Sequence, residues 1–191
     1  MRVKDDQKTD LFYASTLTLV AQVGLVGLTI PLIAKQSKVA TGTLYIYFKN
    51  KEQLILSLFK EIKKRFQSRM FADYDPRMPV KDTLRKMWGN SLTYAVSNYE
   101  EQIFLQQFNI SPYRKEKETA AYSYRAMKPL LETLANGQQQ GLIKEDKENL
   151  TLPLLFGFVN QLASVIHENP AMLTKSLVDK TFRYFWDAIS R

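Results

Sequence analysis

The chain has 191 residues, 45% hydrophobic and 24% charged, with 27 Lys+Arg against 19 Asp+Glu and a formal charge of +8. With no Cys and a single His, disulfides, thiolate metal sites, cysteine nucleophiles and histidine zinc clusters are excluded. Seven Gly and seven Pro exclude collagen-like and low-complexity chains, and the length suits one large ordered domain or two small ones.

The first ten residues alternate charges of both signs and lack an apolar stretch ahead of a small-residue cleavage site, so they do not read as a signal peptide and a cytoplasmic address is expected. Phe12, Thr16, Leu19, Val20 and Val23 keep three- and four-residue spacing, which predicts an amphipathic helix ending near Gly24. Thr29 is placed to cap a second helix carrying Leu32, Ile33 and Ala34, with Pro31 in the first turn, where a missing N–H is harmless. After the short polar stretch 37–40, helical spacing resumes over residues 41–48 through Leu44 and Phe48. Asn50 offers the next cap, with Glu52 and Gln53 in the first turn and Leu54, Leu58 and Ile62 on one face of a long helix reaching Phe71.

Further helices are expected over 80–98, 101–110, 112–140, 150–168 and 170–189. Pro129 should bend or bound the third of these, Gly141 should stop it, and Asn169-Pro170 should cap and start the last. The apolar run 150–166 is shorter than the roughly 20 residues a spanning helix needs. Asn160, Gln161 and Ser164 interrupt it, so it reads as a buried helix and no membrane partner is expected. The fold class is therefore all-α, without internal repeats.

Residues 1–70 hold 12 Lys+Arg and 5 Asp+Glu, net +7, whereas the rest hold 15 and 14, net +1. A basic segment on a near-neutral body points to an anionic partner, nucleic acid or membrane, with a solvated basic face as the alternative. Inside that segment lies a compact helix pair whose second member is rich in Thr and Tyr, as helix-turn-helix recognition requires. If the second helix enters the major groove, Thr41, Gly42 and Thr43 meet base edges and phosphates at closest approach, where small side chains are needed. Tyr45 and Tyr47 lie one turn on, where a phenol can pack on a sugar or thymine methyl and donate to phosphate. Leu44 and Phe48 already take the buried spacing, and Lys51 sets a cation at the start of the next helix.

Residues Thr29 to Ala34, and the block from Val39 through Gly42-Thr43-Leu44-Tyr45-Ile46-Tyr47-Phe48 to Lys51-Glu52-Gln53-Leu54, resemble the DNA-binding signature of the TetR family of bacterial transcriptional regulators. The resemblance spans Phe12 to Leu58. It implies that Thr29 caps helix two near a phosphate, that Thr41, Thr43 and Tyr45 make base contacts, and that Tyr47 and Lys51 bind phosphates. Two departures stand in the turn. Lys38 replaces a family Gly, giving up a residue tolerant of positive φ and offering a further phosphate contact. Ala40 replaces a family Ser and has no hydroxyl, so Thr41 either takes over the cap or contacts a base.

The resemblance implies an N-terminal three-helix DNA-binding domain with a helix-turn-helix over residues 1–49, then a helical effector-binding and dimerisation domain over 50–191. For an effector pocket the candidates are Met87, Trp88, Tyr94, Phe104, Phe108, Tyr122, Arg125 and Met127, a set that suits a small, mostly apolar or aromatic compound. For a dimer interface they are Leu155, Phe156, Val159, Leu162, Ile166, Phe182 and Phe185, with plain intrachain core as the competing account. His167 reads as a surface or interface residue.

The function implied is a homodimeric, ligand-responsive regulator, a repressor on a palindromic double-stranded operator, with no cofactor and no metal. Two alternatives remain open at this point. One is a sequence-independent architectural nucleic-acid binder; the other is a helical enzyme with an aromatic cavity, although no spacing groups a nucleophile with a base.

Overall fold

The computed structural model describes residues 6–115, 117–147 and 149–191. In chain order the helices are α1 (Asp6–Gly27), α2 (Ile30–Gln36), α3 (Thr41–Tyr47), α4 (Lys51–Met70), α5 (Val80–Ser97), α6 (Tyr99–Ile110), α7 (Lys117–Ala126), α8 (Lys128–Gln139), α9 (Thr151–Glu168) and α10 (Lys175–Ile189). Single 3-10 turns cover Pro112–Lys115 and Pro170–Met172. The chain is all-α, and among the described residues the only β feature is an isolated bridge from Ile143 to Ser190.

Two expectations at helix ends are corrected. The predicted helix over 112–140 is a 3-10 turn followed by α7 and α8, with Pro129 in the first turn of α8, so it bounds that helix instead of bending it. Asn169-Pro170 begins only the short 3-10 turn; the last helix is capped by Thr174, whose hydroxyl accepts from the Leu177 N–H at 3.2 Å.

The chain forms two compact units, one of residues up to Lys63 together with Glu100–Tyr122, the other of Lys64–Tyr99 together with Ser123–Arg191. This differs from contiguous domains over 1–49 and 50–191. The reason is burial: Leu54, Ile55 and Leu58 of α4 and Phe104 and Phe108 of α6 sit, fully buried, in the same core as α1 to α3.

In the first unit, α1 is long and apolar enough to cross a membrane by length and composition. Its apolar positions go elsewhere, for Phe12, Leu17, Leu19 and Val20 are buried in the helical core. Phe12 is the hub, meeting Tyr47 and Phe48 edge-on at 5.3 and 6.3 Å between ring centroids. Helical geometry breaks at Gly24, with φ 74° and ψ 166°, the stop expected from sequence. The break strands two backbone groups, and the Gln107 carboxamide of α6 takes both. Its Oε1 accepts from the Leu25 N–H at 2.6 Å and its Nε2 donates to the Val20 carbonyl at 3.3 Å. Phe59 stacks flat on Phe108 at 4.0 Å, fixing α4 to α6.

In the second unit the hub is Trp88. Its ring stacks on Phe185 at 5.1 Å and meets Phe158 and Phe182 edge-on, while its one polar atom, Nε1, donates to the Thr181 hydroxyl at 3.2 Å. Gly141, φ 69°, ends α8. The following segment is pinned to the C-terminus, the Lys144 N–H donating to the Ile189 carbonyl and the Arg191 N–H to Leu142. Asp146 caps α9 from this segment, accepting from the Leu150 and Thr151 N–H groups at 2.6 and 2.8 Å. Burial pushes the Asp146 carboxyl up, but the hydrogen bonds from Thr151 and Leu150 outweigh it and hold the pKa below the usual aspartate value.

The packing of α8 sets a sharp test. A Cβ at Gly137 would lie 2.5 Å from Ile143 Cδ1 and 3.0 Å from Val80 Cγ1, and Ile143 and Val80 are themselves buried. Gly137→Ala therefore overpacks this core, and urea unfolding should show a loss of about 1–3 kcal/mol despite the better helix propensity of alanine.

Candidate nucleic-acid interface

The helix-turn-helix is assembled from local signals. Thr29 Oγ1 accepts from the Leu32 N–H at 3.3 Å, so the expected cap forms, and Pro31 occupies the first turn of α2. At the other end, the Val39 N–H reaches the Ala34 carbonyl at 3.0 Å and the Lys38 N–H reaches Lys35 at 3.1 Å. That pair of bonds is a Schellman closure, and it forces its central residue into left-handed backbone. The residue is Lys38, exposed, with φ 55°.

A non-glycine side chain there carries a local cost of about 1–2 kcal/mol. Lys38→Gly should therefore raise the midpoint of thermal unfolding while weakening DNA binding, with the salt slope of binding falling by about 0.9 for each subunit's lost phosphate contact. Opposite signs in the two measurements separate the cation's role from the backbone's.

The recognition helix α3 begins without a side-chain cap. Ala40 occupies the cap position and gives only its carbonyl, to the Thr43 N–H at 2.9 Å. Thr41 is the first helical residue and does not cap; its hydroxyl is left to the half-buried flank of the helix. Leu44 and Phe48 turn inward, as their spacing predicts, at 0% and 5% exposure.

The two tyrosines part company. Tyr45 is 55% exposed. Tyr47 is 8% exposed, its ring against Phe12, so it does not stand on the open face beside Tyr45 as expected from sequence. Tyr47 follows Leu44 by three residues and thus shares its inward side. The outward row is instead Gly42, Tyr45 and Ile46, at i, i+3 and i+4, with Ile46 53% exposed and open space where a Gly42 Cβ would be. Sequence reasoning passed over Ile46, although this spacing marks it.

Lys51 is half-buried, and its ammonium donates to the Leu28 carbonyl at 3.0 Å, tying α4 to the α1–α2 link while leaving two of its donors unused by that bond. The start of α4 is closed by a capping box: the Gln53 N–H donates to Asn50 Oδ1 at 2.8 Å, and the Lys49 N–H to Gln53 Oε1 at 2.6 Å. Lys35, Lys38 and Lys49 are all exposed, supplying a cationic surface in the unit that carries α3.

The residues named for an effector pocket do not line one cavity. Met87, Trp88, Tyr94 and Met127 are buried core of the second unit, Phe104 and Phe108 are buried core of the first, Tyr122 is half-buried and Arg125 exposed. Their apolar character serves packing; the Tyr122 hydroxyl donates to the Lys60 carbonyl at 3.1 Å. Of the eight, only Met87 borders a described cavity, of about 10 Å³.

The interface residues are corrected likewise. Leu155, Val159, Ile166, Phe182 and Phe185 are 0–1% exposed, and Phe156 and Leu162 pack against the same core. The competing account, intrachain core, is the one observed. A second apolar row runs along α9, through Leu150 at 55%, Leu154 at 42% and Val165 at 44% exposure. Leu150, Pro153, Leu154, Gly157, Phe158 and Gln161 line a shallow groove of about 520 Å³ on it. His167 is on the surface, stacked on Tyr99 at 4.0 Å.

With the geometry in place, comparison with known proteins is decisive. The pattern of the bacterial regulatory proteins of the tetR family matches residues 12–58, and that of the tetracyclin repressor-like C-terminal domain matches residues 79–190. An HTH-type transcriptional regulator of Haemophilus influenzae is 32% identical over 112 residues, 57% of this chain and 60% of that protein. The fatty acid metabolism regulator protein of Bacillus subtilis is 29% identical over 152 residues, 77% of each chain. A TetR family transcription regulator from Marinobacter aquaeolei, 25% identical, superposes with a TM-score of 0.88 over 100% of this chain and 99% of its own. These relatives are transcriptional regulators, not enzymes, and they lend no support to either alternative reading. Matched along both its DNA-reading and its C-terminal helices, the chain belongs to the TetR family of bacterial transcriptional regulators.

Proposed function

We propose that the protein acts in the bacterial cytoplasm as a homodimeric repressor, its two α3 helices reading a palindromic operator with half-sites about 34–36 Å apart or a multiple of that. The observation that carries this reading is the exposed Gly42, Tyr45 and Ile46 row on a helix held rigidly by Thr29, Phe12 and Lys51 within the basic part of the chain. Thr29, Lys38, Thr41, Gly42, Thr43, Tyr45 and Lys51 are the proposed DNA contacts, and Tyr47 reaches a phosphate only through the tip of its phenol.

Dimerisation is proposed through the outward row of α9. That row exposes a contiguous apolar strip which one protomer leaves uncovered, and an isologous two-fold contact would bury it against its own copy.

The effector is proposed to be small and mostly apolar, and the fatty acid metabolism regulator among the relatives makes fatty acyl compounds the class to try first. Such a compound releases the operator only through different affinities for two dimer states. The test is a footprint on the DNA flanking the protein's own coding region, repeated with fatty acyl compounds. A protected two-fold site that is lost on adding one of them supports the reading; no protection, or protection indifferent to every compound, refutes the repressor or the effector assignment respectively.

A further inference from the structure

The recognition helix is unusual in what it lacks. Residues 41–47, Thr-Gly-Thr-Leu-Tyr-Ile-Tyr, contain no Arg, Lys, Asn, Gln, Asp or Glu. Those are the side chains that read guanine, adenine and cytosine edges by paired or accepting hydrogen bonds in the major groove. The two carboxamides that follow, Asn50 and Gln53, are committed to each other's backbone in the capping box. What α3 presents is a smooth row of Gly42, Tyr45 and Ile46, the last two more than half exposed. The major-groove feature such a row can recognise is the one apolar group there, the C5 methyl of thymine.

We infer that Ile46, together with the ring of Tyr45, reads thymine methyl groups, so that each operator half-site carries its thymines opposite α3 and owes little at those positions to guanine. This rests on the DNA-reading function proposed above and assigns its base chemistry. Ile46 is then a specificity-determining residue: its branched side chain stands where Gly42 leaves room for the helix to approach. A methyl is bound by exclusion of water from both partners, which is insensitive to salt. The flanking cations Lys38 and Lys49 supply the salt-dependent, sequence-blind part.

The experiment uses the full chain and an operator selected from random duplexes. Each thymine is replaced in turn by deoxyuridine, which removes only the methyl, and affinity is measured by fluorescence anisotropy at fixed salt. The expected result is one or two thymines per half-site at which the replacement weakens binding about fourfold, the worth of one buried methyl. Ile46→Ala should abolish the response at one of them with the salt slope unchanged, and Ile46→Val should retain it. A two-fold operator indifferent to deoxyuridine throughout, or a response unaltered in Ile46→Ala, overturns the inference while leaving the DNA-reading function standing. Failure to enrich any operator overturns both.

Discussion

Tyr45→Ala lowers operator affinity by about 1–3 kcal/mol for each half-site, a loss of roughly 5- to 150-fold, and relaxes base preference there. The fold should be unaffected. Tyr45 is 55% exposed, whereas Leu44 and Phe48 on either side of the row make the core contacts. The same truncation two residues on should behave differently. Tyr47→Ala removes a ring that is 8% exposed and packed edge-on against Phe12, costing stability of about 3 kcal/mol or more by cavity formation. Any loss of DNA binding in that variant follows from loosening of α3. Tyr47→Phe keeps the ring and deletes the hydroxyl, so its affinity isolates the phosphate contact that the family resemblance implies. Circular dichroism melts beside anisotropy titrations separate the two tyrosines.

Gly157→Glu dissociates the dimer while leaving each protomer folded. An added Cβ at Gly157 meets nothing within 4 Å, and glutamate is a better helix former than glycine. In an isologous two-fold contact, however, the carboxylate would enter the apolar groove that includes Leu154 and Phe158, where an unpaired charge is costly. Linking two half-site contacts in one particle raises avidity by about 10²- to 10⁴-fold. The variant should lose that factor on the full operator and bind an isolated half-site as the parent does. Sedimentation at micromolar concentration checks the assembly state. Changes at Leu155 or Ile166, by contrast, should unfold the chain, because those side chains are wholly or almost wholly buried.

The elements that were legible in sequence are those specified locally. Gly24, Thr29, Pro31, Asn50, Pro129 and Gly141 each mark a real boundary, since a cap or a positive φ is decided within a few residues. The helix-turn-helix was legible for the same reason. Tyr47 was misplaced because tyrosine at i+3 from a buried leucine satisfies either an inward or an outward account until Phe12 is seen against it.

On α9 the composition is apolar on two faces, 155, 159, 163 and 166 inward and 150, 154, 157 and 165 outward. Periodicity finds both stripes but does not say which is core. The pocket candidates failed on the same ambiguity: aromatic and thioether side chains serve a core as well as a cavity, and Trp88 and Phe104 lie in different cores. Nor could spacing foresee that α6 would join the DNA-reading unit, because the Gln107 clamp on the broken end of α1 bridges residues 82 and 87 apart.

The most direct measurement is selection of the intact chain on random duplex DNA, followed by titration of the enriched sequence against a scrambled one at physiological salt. Two α3 helices reading bases should enrich a two-fold symmetric site and bind it about 10³-fold or more tighter than the scramble. Equal binding to both, governed by salt alone, would mean that the tyrosine and isoleucine of that helix face phosphates and not bases.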